Sequence, residues 1–159
     1  MNFDDWYYRE YPRVLAAVSV VCRVEPRVIE DATTDAFITA LERWGRVAEM
    51  DSPTAWVTRV AINNAKRRFR RSSREVAVAN EDAIAQIFSD TYRDADLVEA
   101  LAKLTYRQRR ALVLHYFEDQ TQAAVAKALD VAPGTASATL AQARKNLRRE
   151  LATTEEMNR

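Results

Sequence analysis

One cysteine, one histidine, two glycines and four prolines are all that 159 residues hold of the types that most often staple, ligate or bend a chain. The lone Cys22 excludes an internal disulfide framework and leaves no thiol pair for a metal site. His115 is the single imidazole, and there is neither a glycine-rich phosphate loop nor a ligand cluster at metal spacing. No cofactor, no metal and no enzyme active site are therefore expected. No apolar run approaches the roughly 18 residues of a membrane span. The opening MNFDDWYYRE is acidic and aromatic, not basic and then apolar, so it reads as no signal peptide and the protein is expected in the cytoplasm.

With glycine confined to Gly45 and Gly134 and β-branched alternation scarce, the abundant alanine, leucine, arginine and glutamate predict an all-α protein. Pro12, Pro26, Pro53 and Pro133 are expected where helices begin or are separated, because proline suits a first turn and breaks an interior. The net charge of +1 names no partner, but its distribution is uneven. Residues 52–74 contain seven basic side chains and no acidic one, whereas residues 80–99 contain six acidic and one basic. Segregation of this kind points to separate tasks.

A first helix is expected over residues 3–24, with Val14, Leu15, Val18, Val21 and Cys22 inward. A second runs from EPRVIED through ERW on an apolar stripe of Ile29, Ala32, Ala36, Phe37, Ala40, Leu41 and Trp44. In the third, Ser52 is the expected N-cap and Pro53 the first helical residue, with Trp56, Val57, Val60, Ala61 and Ala65 inward. Its basic end, KRRFRR, suits the C-terminal helix dipole. Residues 75–96 read as a linker with a short helix near Ile84 to Phe88. Helices resume over residues 97–151, the last carrying a buried stripe of Ala136, Leu140, Ala143, Leu147 and Leu151. Residues 152–159 read as a tail. The architecture expected is two small helical bundles, 1–74 and 97–151, joined by a linker.

The stretch TQAAVAKALDVAPGTASATLAQAR fits a helix-turn-helix. Thr121 caps the first helix, Asp130 and Val131 make the turn, and the second helix starts near Pro133. Aspartate suits the turn because it visits the left-handed region more readily than most residues. Such a second helix lays its front on base edges in the major groove. The competing reading is an ordinary helical hairpin. A second informative stretch is RVAINNAKRRFRR. Arg59, Lys66, Arg67, Arg70, Arg71 and Arg74 can neutralise phosphates; roughly five such contacts give a log–log salt slope of about −4 to −5. Asn63 and Asn64 can hydrogen-bond bases, and Trp56 and Phe69 can stack on unpaired ones. Against this stand a core role for Trp56 and a plain solvated helix end for the arginines.

In this order, the segments resemble the sigma-70 family of RNA polymerase, specifically the extracytoplasmic-function (ECF) sigma factors. EDATTDAFITALERW is similar to that family's region 2.2: Glu30, Asp31 and Phe37 match, with Thr34 and Asp35 replacing the usual glutamine and glutamate. SPTAWVTRVAINNAKRRFRR resembles regions 2.3–2.4 at Ala55, Trp56, Arg59, Ala61 and Asn63. The last third, from LTYRQRR to LRREL, resembles region 4. The resemblance implies that the first bundle grips the polymerase β′ clamp helices, with Asp31, Asp35 and Glu42 as contacts, and captures the promoter −10 element. The alternative for these acids is the polar face of an amphipathic helix. It implies that the second bundle docks on the β-flap and reads the −35 element through Thr135, Ser137, Thr139 and Gln142, with Arg144, Lys145, Arg148 and Arg149 left for phosphates or the flap. RNA polymerase core, promoter DNA and an anti-sigma factor are the implied partners.

The sequence departs from the family pattern at the front of the last helix, where Ser137 and Thr139 occupy its two basic positions and Ala132 replaces its capping serine. A lost N-cap costs about 1 kcal/mol, and two lost phosphate contacts flatten the salt slope by about 2. Two other readings remain: a helix-turn-helix regulator that needs no polymerase, and a sigma-like interaction protein that does not direct initiation.

Overall fold

The computed structural model describes residues 1–72, 95–157 and 159; the expected linker helix near Ile84 to Phe88 and Arg74 lie outside them. The chain divides into two compact units, Met1–Arg93 and Asp94–Arg159. The described residues form helices and no strand.

In unit 1, α1 (Phe3–Cys22) is capped by Asn2, whose side-chain oxygen accepts the Asp4 N–H at 2.8 Å. Asp4 and Asp5 in the first turn complement the helix dipole. The helix ends where Arg23 turns left-handed (φ 45°) and its N–H bonds the Ser19 carbonyl. Pro12 differs from expectation, lying inside α1 rather than at a boundary. It is on the exposed side, where water can satisfy a carbonyl deprived of its N–H partner. Pro26, Pro53 and Pro133 each open a helix, as the sequence predicts.

Helix α2 (Pro26–Glu42) buries Ile29, Ala32, Thr33, Ala36, Phe37 and Ala40. Two residues of the expected stripe depart from it. Leu41 is 54% exposed, because it lies beyond the buried Ala40 around the helix. Trp44 belongs to the separate turn α3 (Trp44–Val47). Its ring meets Phe3 edge-on at 5.2 Å and Trp6 at 4.9 Å, closing an aromatic cluster with Tyr7, Tyr11 and Phe37. Burial, with Tyr11 and Tyr8 adding to it, pushes the Tyr7 hydroxyl above its ordinary pKa.

Helix α4 (Pro53–Ser72) starts as expected, with Ser52 Oγ accepting the Ala55 N–H at 3.2 Å. Its inward side is Ala55, Val57, Thr58, Ala61, Ile62 and Ala65, and it packs on both α1 and α2.

In unit 2, α5 (Ala95–Ala102) leads to α6 (Tyr106–Leu112), which a Thr105–Gln108 capping box begins. The buried Arg109 donates to the Leu104 carbonyl and ties that connection to α6. A π-helical turn, Val113–Phe117, follows α6 where a continuous helix was expected. Then come α7 (Gln122–Leu129) and α8 (Pro133–Met157), the latter packed on α5, α6 and α7. Thr121 caps α7 by accepting the Ala124 N–H at 3.1 Å. Asp130 takes the left-handed conformation (φ 54°), and Val131 N–H bonds the Ala126 carbonyl at 3.0 Å, closing a Schellman turn. On α8, Ala136, Leu140 and Ala143 are buried, while Leu147 and Leu151 are half-buried. The helix runs on to Met157, with Thr154 buried, through most of the residues expected as a tail.

Thr33 is fully buried with no hydrogen-bond partner for its hydroxyl. An unmade buried hydrogen bond costs about 1–3 kcal/mol. Thr33→Val, similar in volume, is expected to raise stability by about 1 kcal/mol, or about 4–8 °C in melting temperature for a unit this small. Differential scanning calorimetry checks it, and a lower melting temperature refutes it.

Candidate nucleic-acid interfaces

The exposed surface of α4 is split along its length. Trp56, Arg59, Asn63, Lys66 and Arg70 recur at intervals of three and four residues and so share one face. Trp56 and Lys66 are half-buried; Arg59, Asn63 and Arg70 are exposed. Asn63, Lys66, Arg67 and Arg70 line a shallow cleft of about 310 Å³. This is a row of cations around one amide and one indole, able to follow a phosphate backbone and present stacking and hydrogen-bonding groups to bases.

Asn64 is not part of that row. Its amide donates to the Ala32 carbonyl on α2 at 3.3 Å, and its oxygen accepts from Arg67 at 3.4 Å. The helix turns successive residues about 100° apart, so adjacent asparagines cannot serve one surface. Asn64 joins Val28, Asp31, Asp35, Arg67, Arg68 and Arg71 around a second cleft of about 560 Å³ between α2 and α4. There Arg68 is ion-paired with Asp35. Both side chains are 41–49% exposed, so the pair contributes little to stability and mainly orients its partners. Arg68 was absent from the sequence-based site, and no periodicity in the sequence announces a pairing with a residue 33 positions earlier.

On the outer side of α2, Asp31, Thr34, Ile38, Leu41 and Glu42 are exposed and lie on one face, with Asp35 at its edge. Ile38 and Leu41, 50% and 54% exposed, make this face apolar at its centre and acidic around it. Sequence reasoning found the acids and missed both aliphatics. The available signal was Ile38, an apolar residue off the stripe set by Ala36, Phe37 and Ala40.

In unit 2, the front of α8 exposes Gly134, Thr135, Ser137, Ala138, Ala141 and Gln142, without a cation. Thr139 is half-buried, and its hydroxyl donates back to the Thr135 carbonyl at 2.8 Å. The Gln142 amide donates to Asn146 at 2.8 Å. Arg144 is half-buried and donates to the Tyr116 hydroxyl at 3.0 Å; Lys145 is exposed. The candidate residues therefore share one helix but not one surface. Thr135, Ser137, Gln142 and Lys145 face outward, while Thr139 and Arg144 sit on its flanks.

Among the described residues, no group of histidine, cysteine, aspartate or glutamate could hold a metal ion, and no helix is long and apolar enough to cross a membrane.

Residues 7–75 match the family model for sigma-70 region 2, and residues 94–147 match that for sigma-70 region 4. The chain is 29% identical to the RNA polymerase sigma-E factor of Streptomyces antibioticus, over 81% of this chain and 73% of that protein. It is 28% identical to the RNA polymerase sigma-E factor of Streptomyces avermitilis, over 80% and 73% respectively. The first match takes in the basic face of α4 and the apolar–acidic face of α2; the second takes in the helix-turn-helix and the front of α8. Sigma factors of this family are non-enzymatic transcription initiation factors. The chain belongs to the sigma-70 family and is an RNA polymerase sigma factor of the extracytoplasmic-function type.

Proposed function

We propose that this sigma factor directs promoter-specific initiation by dividing the work between its units. Unit 1 grips the β′ clamp helices of core polymerase through the outer face of α2 and captures the −10 element along α4. Unit 2 docks on the β-flap and reads the −35 element with α8. The observation that carries this reading is the geometry of α4: one side is core, and the opposite side presents Trp56, Arg59, Asn63, Lys66 and Arg70 in a single row.

Strand separation then needs no catalytic residue. A surface that stacks on and hydrogen-bonds unpaired bases binds the open form better than the duplex. The population shifts by that difference in affinity. Asn63 contacts a base, while Lys66, Arg67, Arg70 and Arg71 hold phosphates. Asn64 has a different task, holding α4 against α2. On α2, Ile38 and Leu41 supply apolar area, and Asp31 and Glu42 supply charge at its rim. An anti-sigma factor would act by covering these same faces, and the protein works in the cytoplasm, where polymerase and promoter are.

Run-off transcription with purified core polymerase and a promoter library tests the whole reading. Promoter-dependent transcripts above the core-only level are expected. Co-purification with polymerase but no transcript from any template would leave an interaction protein. Sequence-specific duplex binding by the chain alone, with no effect of core, would leave a stand-alone regulator.

Two sets of variants test the parts. Ile38→Asp with Leu41→Asp removes about 2–3 kcal/mol of apolar burial, so core affinity measured by surface plasmon resonance is expected to fall about 30-fold or more. An unchanged affinity would move the polymerase contact away from α2. Ser137→Lys with Thr139→Arg restores two cations, and is expected to tighten duplex binding and steepen the log–log salt slope by about 2. If neither changes, these positions do not face DNA.

A further inference from the structure

Tyr116 lies on the π-helical turn Val113–Phe117 and is 56% exposed. The turn is held from within. Glu118 N–H reaches back to the Val113 carbonyl at 3.1 Å, and Gln120 N–H reaches the Leu114 carbonyl at 3.0 Å. His115 Nδ1 lies 2.8 Å from the Gln120 carbonyl; a carbonyl only accepts, so Nδ1 carries the proton. The His115 ring then meets Tyr116 edge-on, with centroids 4.8 Å apart and planes at 82°. A tyrosine this exposed is thus backed by a ring whose own position is fixed.

Its hydroxyl oxygen accepts from Arg144 Nη1 at 3.0 Å across 28 positions of sequence. That bond occupies one of the guanidinium's five N–H donors and leaves the phenol its own hydrogen to donate. Arg144 lies four positions before Arg148, so the two share one flank of α8 beside its uncharged front. We propose that Tyr116 and Arg144 together form a seat for a phosphate of duplex DNA. Arg144 supplies the charge, and Tyr116 both orients the guanidinium and donates a second hydrogen bond. A guanidinium held in place loses less freedom on binding than a mobile one. This is the kind of anchor needed by a helix whose front has given up its cations. The seat rests on the reading of α8 as a DNA-facing helix, and it adds Tyr116 to the residues assigned to that surface.

Phosphate recognition is independent of sequence, so a random duplex of about 40 base pairs at low salt serves as the probe. The protein is the full chain with Arg67→Gln and Arg70→Gln, which weakens the contribution of unit 1 and lets unit 2 be heard. Fluorescence anisotropy is read against KCl concentration. In this background, Arg144→Gln is expected to reduce the log–log slope by about 1. Tyr116→Phe is expected to weaken binding about threefold to tenfold at an unchanged melting temperature. The two together are expected to be little worse than Arg144→Gln alone, because Tyr116 acts largely through Arg144. Wild-type affinity in Tyr116→Phe, with Arg144→Gln still weakened, overturns the paired seat and leaves α8 on DNA. No change in either variant or in Lys145→Gln overturns both the seat and the DNA-facing reading of α8.

Discussion

Helices α2 and α4 pack on one another, and the alanines Ala32, Ala36 and Ala40 on one and Ala61 and Ala65 on the other are all wholly buried. The distance between packed helices is set by the side chains at their contact, and methyl groups let backbones come close. The approach is close enough for the Asn64 amide to reach a main-chain carbonyl of α2 at 3.3 Å. Two consequences follow along α4. The flank next to α2 is tied to it through the Asn64 hydrogen bond, with the Arg68–Asp35 pair orienting side chains beside it. The opposite side carries Trp56, Arg59, Asn63, Lys66 and Arg70, of which Arg59, Asn63 and Arg70 are exposed. Packing against α2 thus divides the polar residues of α4 between two faces.

Unit 2 solves the same problem with α8. A core stripe of Ala136, Leu140 and Ala143 fixes the helix against α5, α6 and α7, and so decides which residues face outward. The left-handed Asp130 and its Schellman bonds fix where α8 begins. Their job is geometric: a one-residue error there would rotate every outward side chain by about 100°. Ala132 offers no side-chain oxygen at this entry, and Pro133, whose missing N–H needs no partner in a first turn, suits it instead.

Much of this was legible in the sequence because it depends on local chemistry. The caps at Ser52 and Thr121, the prolines at three helix starts and the left-handed aspartate each follow from residue type and spacing alone. Long-range contacts were not. Nothing in NNAKRR distinguishes Asn63 from Asn64 until α2 lies beside one of them. Leu41 needed the bundle to show that the stripe stops short of it. Tyr116 needed the π-helical turn, whose extra residue per turn no helical periodicity anticipates. Candidate residues read from a linear pattern came out on one helix but on several surfaces, because a pattern specifies a phase and neighbours decide which phase is free.

The uncharged front of α8 is reconciled with promoter recognition by where the binding energy has to come from. Each phosphate contact adds about 0.9 to the salt slope, and a front without cations gives up that non-specific attraction. Thr135, Ser137 and Gln142 keep their hydrogen-bonding groups, so discrimination between bases does not vanish with the charge. What falls with the charge is non-specific attraction to phosphates. On the division of work proposed above, unit 2 meets its element once unit 1 and polymerase hold the promoter, so that encounter is intramolecular. Tethering of this kind raises effective concentration, up to the millimolar range. At that concentration a contact too weak to form in free solution is substantially occupied. Weak intrinsic binding also limits capture of the free protein by non-promoter DNA, which competes through phosphates alone. The plain helix front is thus compatible with a reader that discriminates only after the polymerase has brought it to the site.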